Sequence, residues 1–108
     1  MSSEKNLEVA VLLDLYSGLL TDKQRDVIDL YYNEDLSLGE IAECENITRQ
    51  GVRDSIKRGE QVLFEMEAAL GLAEKSKRLG SIADRLEAAE KLSAEDIRAA
   101  ADEIRNIL

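Results

Sequence analysis

Residues 48–58, TRQGVRDSIKR, hold the densest chemistry in the chain: Arg49, Arg53, Lys57 and Arg58 stand against one acid, Asp54. On either side the balance reverses. Residues 1–47 carry eleven acids and three bases, residues 59–108 carry eleven acids and seven bases, and the 108-residue chain has a net charge of −9. A cationic segment displayed by an anionic protein suits a phosphate-bearing partner, nucleic acid above all. Placed on a helix at 100° per residue, Val52 and Ile56 centre one face, and Gln50, Arg53, Asp54, Lys57 and Arg58 lie about 80–180° from that centre. Arg49 sits nearer the edge, in the first turn. In a major groove, Arg bonds guanine O6/N7 and Gln bonds adenine N6/N7, both bidentately. Lys57 and Arg58, further along, are placed for phosphates. Thr48 caps the helix and stands where backbone amides favour anions. The candidate nucleic-acid-binding set is therefore Thr48, Arg49, Gln50, Arg53, Asp54, Lys57 and Arg58.

Other chemistries find little support. The chain has no His, and its one cysteine, Cys44, on an apolar–polar boundary, reads as a packing residue rather than a metal ligand or half of a disulfide. Acid pairs such as Glu34-Asp35, Glu43/Glu45 and Asp102-Glu103 lack a group to organise them for proton transfer. The scattered glycines make no nucleotide fingerprint. The expectation is a protein that is not an enzyme and uses no cofactor. Leu7–Leu20 is apolar but interrupted by Glu8 and Asp14, too short and too charged for a membrane span. It also lacks the basic start and cleavage site of a signal peptide, so a cytoplasmic location is expected. Tyr16, Tyr31 and Tyr32 could stack on bases, but their helical spacing beside Leu and Ile favours core positions with exposed hydroxyls.

The elements that position the basic segment are all helical. There is no Pro, and Leu, Ala, Glu and Asp dominate. The first helix is expected over Asn6–Leu20, with Leu12, Leu15, Tyr16 and Leu19 as its apolar stripe. Thr21 with Gln24 reads as a capping box opening a helix to about Tyr32, with Val27, Ile28, Tyr31 and Tyr32 presented. Ser37 with Glu40 opens the next, with Leu38, Ile41 and Ala42 inward. After a short break at Glu45-Asn46-Ile47, Thr48 starts a long helix. Its seam, Val52, Ile56, Gly59, Leu63, Met66, Leu70 and Ala73, alternates four and three residues apart and could pack on another helix or a second subunit, with Gly71 as the candidate stop. Leu79, Ile82, Leu86 and Ala89 continue the spacing. Ser93 with Asp96 opens a last helix whose stripe is Ile97, Ala101, Ile104 and Leu108. The expected organisation is a helix-turn-helix core over 1–72, including the start of the long helix, and a C-terminal helical hairpin or arm over 73–108.

Two stretches, LLTDKQRDVIDLYYNEDLSLGEIAE and ITRQGVRDSIKRGE, resemble region four of sigma-70-type factors, and more closely the YlxM family of small bacterial proteins. Leu15-Tyr16, Leu20 to Arg25, Tyr31-Tyr32, Ser37 to Glu43 and Arg49-Gln50 carry the match, over about residues 7–75. The resemblance implies an all-α helix-turn-helix domain with a long C-terminal helical arm. It also implies a regulatory role linked to the signal recognition particle pathway, with DNA, the particle's RNA or its proteins as partners. Two positions depart from the pattern. Glu45 stands where an apolar residue is usual, so Cys44 or Ile47 must supply that packing. Gly51 stands where alanine is common, at a cost of about 1 kcal/mol of helix stability. Two function classes follow. One is a nucleic-acid-binding regulator using the basic helix. The other is an interaction module with the helix-turn-helix as scaffold, whose acidic surface and heptad seam bind a basic protein or a second copy, as a homodimer through Leu63, Met66 and Leu70.

Overall fold

The computed structural model describes residues 6–108. Its elements are α1 (Leu7–Tyr16), a 3-10 turn (Ser17–Leu19), α2 (Asp22–Tyr32), α3 (Leu38–Glu45), α4 (Arg49–Leu70), α5 (Leu72–Ala88) and α6 (Ala94–Ile107), with no strand among the described residues. The chain divides into two compact units, residues 1–70 and 71–108.

Side-chain caps set the helix starts. The Thr21 hydroxyl accepts from the Gln24 amide at 3.1 Å, and Gln24 returns the bond to the Thr21 amide at 3.1 Å. Ser37 with Glu40, and Ser93 with Asp96, close the same reciprocal box. Each box satisfies two donors that the first turn would otherwise leave unpaired. The first helix is shorter than its apolar pattern predicts. Leu20 must be extended (φ −89°, ψ 155°) to lead into the Thr21 cap, so the chain tightens into the 3-10 turn after Tyr16. Asn6 caps α1 instead of joining it, accepting from the Glu8 amide at 2.9 Å.

In the first unit α4 packs against α1, α2 and α3. Val27, Ile41, Val52 and Ile56 form one buried cluster, bordered by Leu30, Tyr31, Leu36, Leu38, Ala42 and Ile47. Val9, Leu12, Leu13, Tyr16, Ile28 and Leu63 are buried as well. Two tyrosines tie this core to α4 by polar contacts: Tyr16 Oη donates to Glu67 Oε1 at 2.7 Å, and Tyr32 Oη donates to Glu60. At Gly59, a Cβ would collide with the Ile28 side chain, so glycine is what lets α2 and α4 approach this closely.

In this unit the α1 stripe and the α4 seam need correcting, while the long helix ends at the expected glycine. The α1 stripe is rotated: Leu12 and Tyr16 are buried together with Val9 and Leu13, whereas Leu15 and Leu19 are exposed. The long helix stops at Leu70, where Gly71 takes a left-handed φ of 65°. Its seam is filled from within through Leu63, which is fully buried, while Met66 is half-buried and Leu70 exposed. Leu63 therefore has no free surface for a second subunit.

In the second unit α5 and α6 pack as a helical pair around Ile82, Ala100 and Ile107, with Leu79, Leu86 and Ile104 at the margin. The α6 stripe also turns relative to expectation, since Ile97 and Leu108 are exposed. Small Ala100 takes the contact with α5, and an ion pair between Arg85 and Glu103 ties the two helices together on their exposed side. That hydrogen bond holds the Glu103 carboxyl below its usual range.

Candidate nucleic-acid interface

The turn between α3 and α4 rests on one residue. Asn46 adopts the left-handed conformation (φ 54°, ψ 47°) that L-residues other than Asn, Asp and Gly rarely visit. The Ile47 amide then donates to the Ala42 carbonyl at 3.1 Å, and the Asn46 amide to the Glu43 carbonyl at 3.4 Å. These two bonds make a Schellman motif that satisfies the last carbonyls of α3 and turns the chain sharply. Ile47 drops onto the Ile41–Val52 cluster as the motif's apolar anchor. Ile47, and not Cys44, thus supplies the packing, for Cys44 is exposed. Glu45 is held by a different force: its carboxylate lies 3.7 Å from Lys23 Nζ on α2.

Thr48 then caps α4, its Oγ1 accepting from the Gly51 amide at 2.9 Å. Val52 is fully buried and Ile56 nearly so, which fixes which side of α4 faces water. All seven candidate residues, Thr48, Arg49, Gln50, Arg53, Asp54, Lys57 and Arg58, are exposed. Within this set the structure joins Gln50 and Asp54, whose amide and carboxylate are 3.1 Å apart. That bond fixes the Gln50 amide against the one acid of the face. Arg53 and Lys57 line a single open groove with Tyr31, Tyr32, Leu38, Ile56 and Glu60. Arg58 leaves the helix on the far side of Asp54, about 140° from the buried centre.

Two features carry no periodic signature in the sequence. Gly39, at the start of α3, seats the Arg49 guanidinium: a Cβ there would lie 3.0 Å from Nη2 and 3.3 Å from Nε. Arg49 therefore bridges α4 and α3, where the sequence placed it only at the edge of a face. The second feature is the groove beside Arg53 and Lys57. The Tyr31 and Tyr32 rings meet edge to face at 5.0 Å. Burial, with the bonded and negatively charged Glu60, raises the Tyr32 phenol above its ordinary value, so it stays a proton donor to Glu60. That bond engages Glu60, the acid that lines the groove with the two bases.

A short helix, a tight turn and a longer second helix whose first turns display a basic face over a buried seam define a helix-turn-helix protein. The chain belongs to the UPF0122 family, described as "Putative helix-turn-helix protein, YlxM / p13 like", whose family model matches residues 3–104. A UPF0122 protein of Acetivibrio thermocellus is 57% identical over 72 residues, 67% of this chain and 62% of that protein. One from Clostridium botulinum is 51% identical over 75 residues, 69% of each chain. One from Limosilactobacillus reuteri is 45% identical over 87 residues, 81% of this chain and 77% of the relative. The match to the Acetivibrio protein thus spans less than two thirds of that relative's length. No described helix is long and apolar enough to cross a membrane.

Proposed function

We propose that this protein is a non-enzymatic, cytoplasmic regulator that binds nucleic acid through α4 and acts in the signal recognition particle pathway. The observation that carries the binding is the exposed arc of Gln50, Arg53, Lys57 and Arg58 above the buried Val52 and Ile56. Gln50 and Arg53, in the first turns, would meet base edges; Lys57 and Arg58 would meet phosphates. Arg49, seated on Gly39, would brace the turn and offer its outer edge to the backbone. The target is DNA, or the RNA of the particle, and family membership supports the first as a class. The pathway itself rests on the resemblance to YlxM proteins.

Fluorescence anisotropy with duplex DNA and with signal recognition particle RNA tests the reading. Binding should weaken as salt rises, with a log–log slope near −0.9 per neutralised phosphate on B-DNA. The double variant Arg53→Glu, Lys57→Glu should abolish it and leave the circular dichroism spectrum unchanged, because both side chains are exposed. Absence of salt-sensitive binding to either nucleic acid would refute the proposal.

A further inference from the structure

A surface unrelated to the basic helix lies on α1. That helix, LEVAVLLDLY, is apolar almost all round, a pattern that belongs to helices covered on every side. Its inner face is buried through Val9, Leu12, Leu13 and Tyr16. Its outer face is not: Leu7 is 80% exposed, Val11 53%, Leu15 41%, and Leu19 in the following turn 56%. Leu7, Val11 and Leu15 recur every fourth residue and make one ridge about 12 Å long, with Leu19 following in the 3-10 turn. Exposed together in one row rather than scattered singly, these side chains form a contiguous apolar surface of the kind that serves docking.

Charge identifies the occupant. Glu8 flanks the ridge on one side and Asp14 on the other, each about 60° from Val11 around the helix. Beyond Asp14, a groove between α1 and α2 adds Asp26 and Asp29. The one base in that groove, Arg25, is engaged by Asp22 at 3.2 Å and Asp26 at 3.7 Å. Residues 6–20 contain no lysine or arginine. A second copy laid on this ridge about a two-fold axis would therefore set Glu8 and Asp14 of one α1 against the same acids of the other, with no base among the described residues of α1 to offset them. Nucleic acid and anionic lipid headgroups would meet the same repulsion.

We infer that the outer face of α1 docks a cationic amphipathic helix of a partner protein. Its apolar stripe would lie along Leu7, Val11, Leu15 and Leu19, and its Lys or Arg flanks would face Glu8 and Asp14. The inference is independent of α4.

The probe is a labelled peptide of about 18 residues, long enough as a helix to cover the ridge, with a leucine stripe at every third or fourth position between lysine flanks. Its control has the same composition in an order without a stripe. The patterned peptide should bind roughly tenfold tighter or better than the control. Val11→Glu with Leu15→Glu should erase that difference. Glu8→Lys with Asp14→Lys should weaken the patterned peptide while leaving the apolar ridge intact. Circular dichroism checks each fold, and Arg53→Glu, Lys57→Glu should leave peptide binding unchanged. Equal binding of the two peptides would overturn the inference. So would a concentration-dependent dimer in sedimentation that Val11→Glu, Leu15→Glu dissolves, since the second copy would then own the face.

Discussion

α1 and α4 lie in the same unit and bury one stripe each in the same core, yet they present opposite surfaces to solvent. Outside α4 is a basic arc; outside α1 is an apolar ridge with acids at its edges. Their inward faces are interchangeable in kind, being Val, Leu, Ile and Tyr, and those faces make the fold. The outward faces contribute almost nothing to folding, so their chemistry reports on what each helix meets. An apolar outer face on one helix and a cationic one on its neighbour point to two different classes of partner on one small unit.

Substitutions at paired depths break or sharpen this contrast. The largest effect belongs to the shared interior: Leu63→Ala or Leu12→Ala, at positions fully buried on α4 and α1, should each cost about 2–5 kcal/mol in urea unfolding. If either cost less than about 1 kcal/mol, the claim that both inner faces are closed would fail. Next comes the cap that starts the basic helix. Thr48→Ala removes the acceptor of the Gly51 amide and should cost about 1 kcal/mol, measured by the same unfolding experiment. The smallest effect lies on the α1 ridge. Val11→Thr should change stability by no more than about 0.5 kcal/mol, because Val11 is already in water. A clear destabilisation there would mean that the chain itself covers the ridge.

Much of this was legible in the sequence, and for local reasons. Thr21 with Gln24, Ser37 with Glu40, and Ser93 with Asp96 are short-range hydrogen-bonding devices, and each closes as its spacing predicts. The face of α4 was also readable, because Val52 and Ile56 alternate with charge and only one orientation hides them. α1 was not. With apolar residues on all sides, periodicity selects no face, and only packing decides that Val9 and Leu13 go inside while Leu15 and Leu19 stay out. The turn was seen as short, but Asn46 as its left-handed corner and Ile47 as its anchor depend on the Schellman bonds. Gly39 was invisible because its role is to leave space for a side chain ten residues further along, and no spacing rule encodes an absence.

The missing side chain at position 59 has a mechanical consequence. With α2 resting directly on the backbone of α4 through Ile28, the long helix cannot roll about its own axis without lifting off that contact. Lys57 and Arg58 leave the same turn, so their bearing depends on how closely α2 seats at residue 59. Any side chain there would displace the tip of Ile28 or part α2 from α4, and in the second case the cationic groups would turn while the helices themselves survive. Aim, rather than charge, is what such a change would take from the protein.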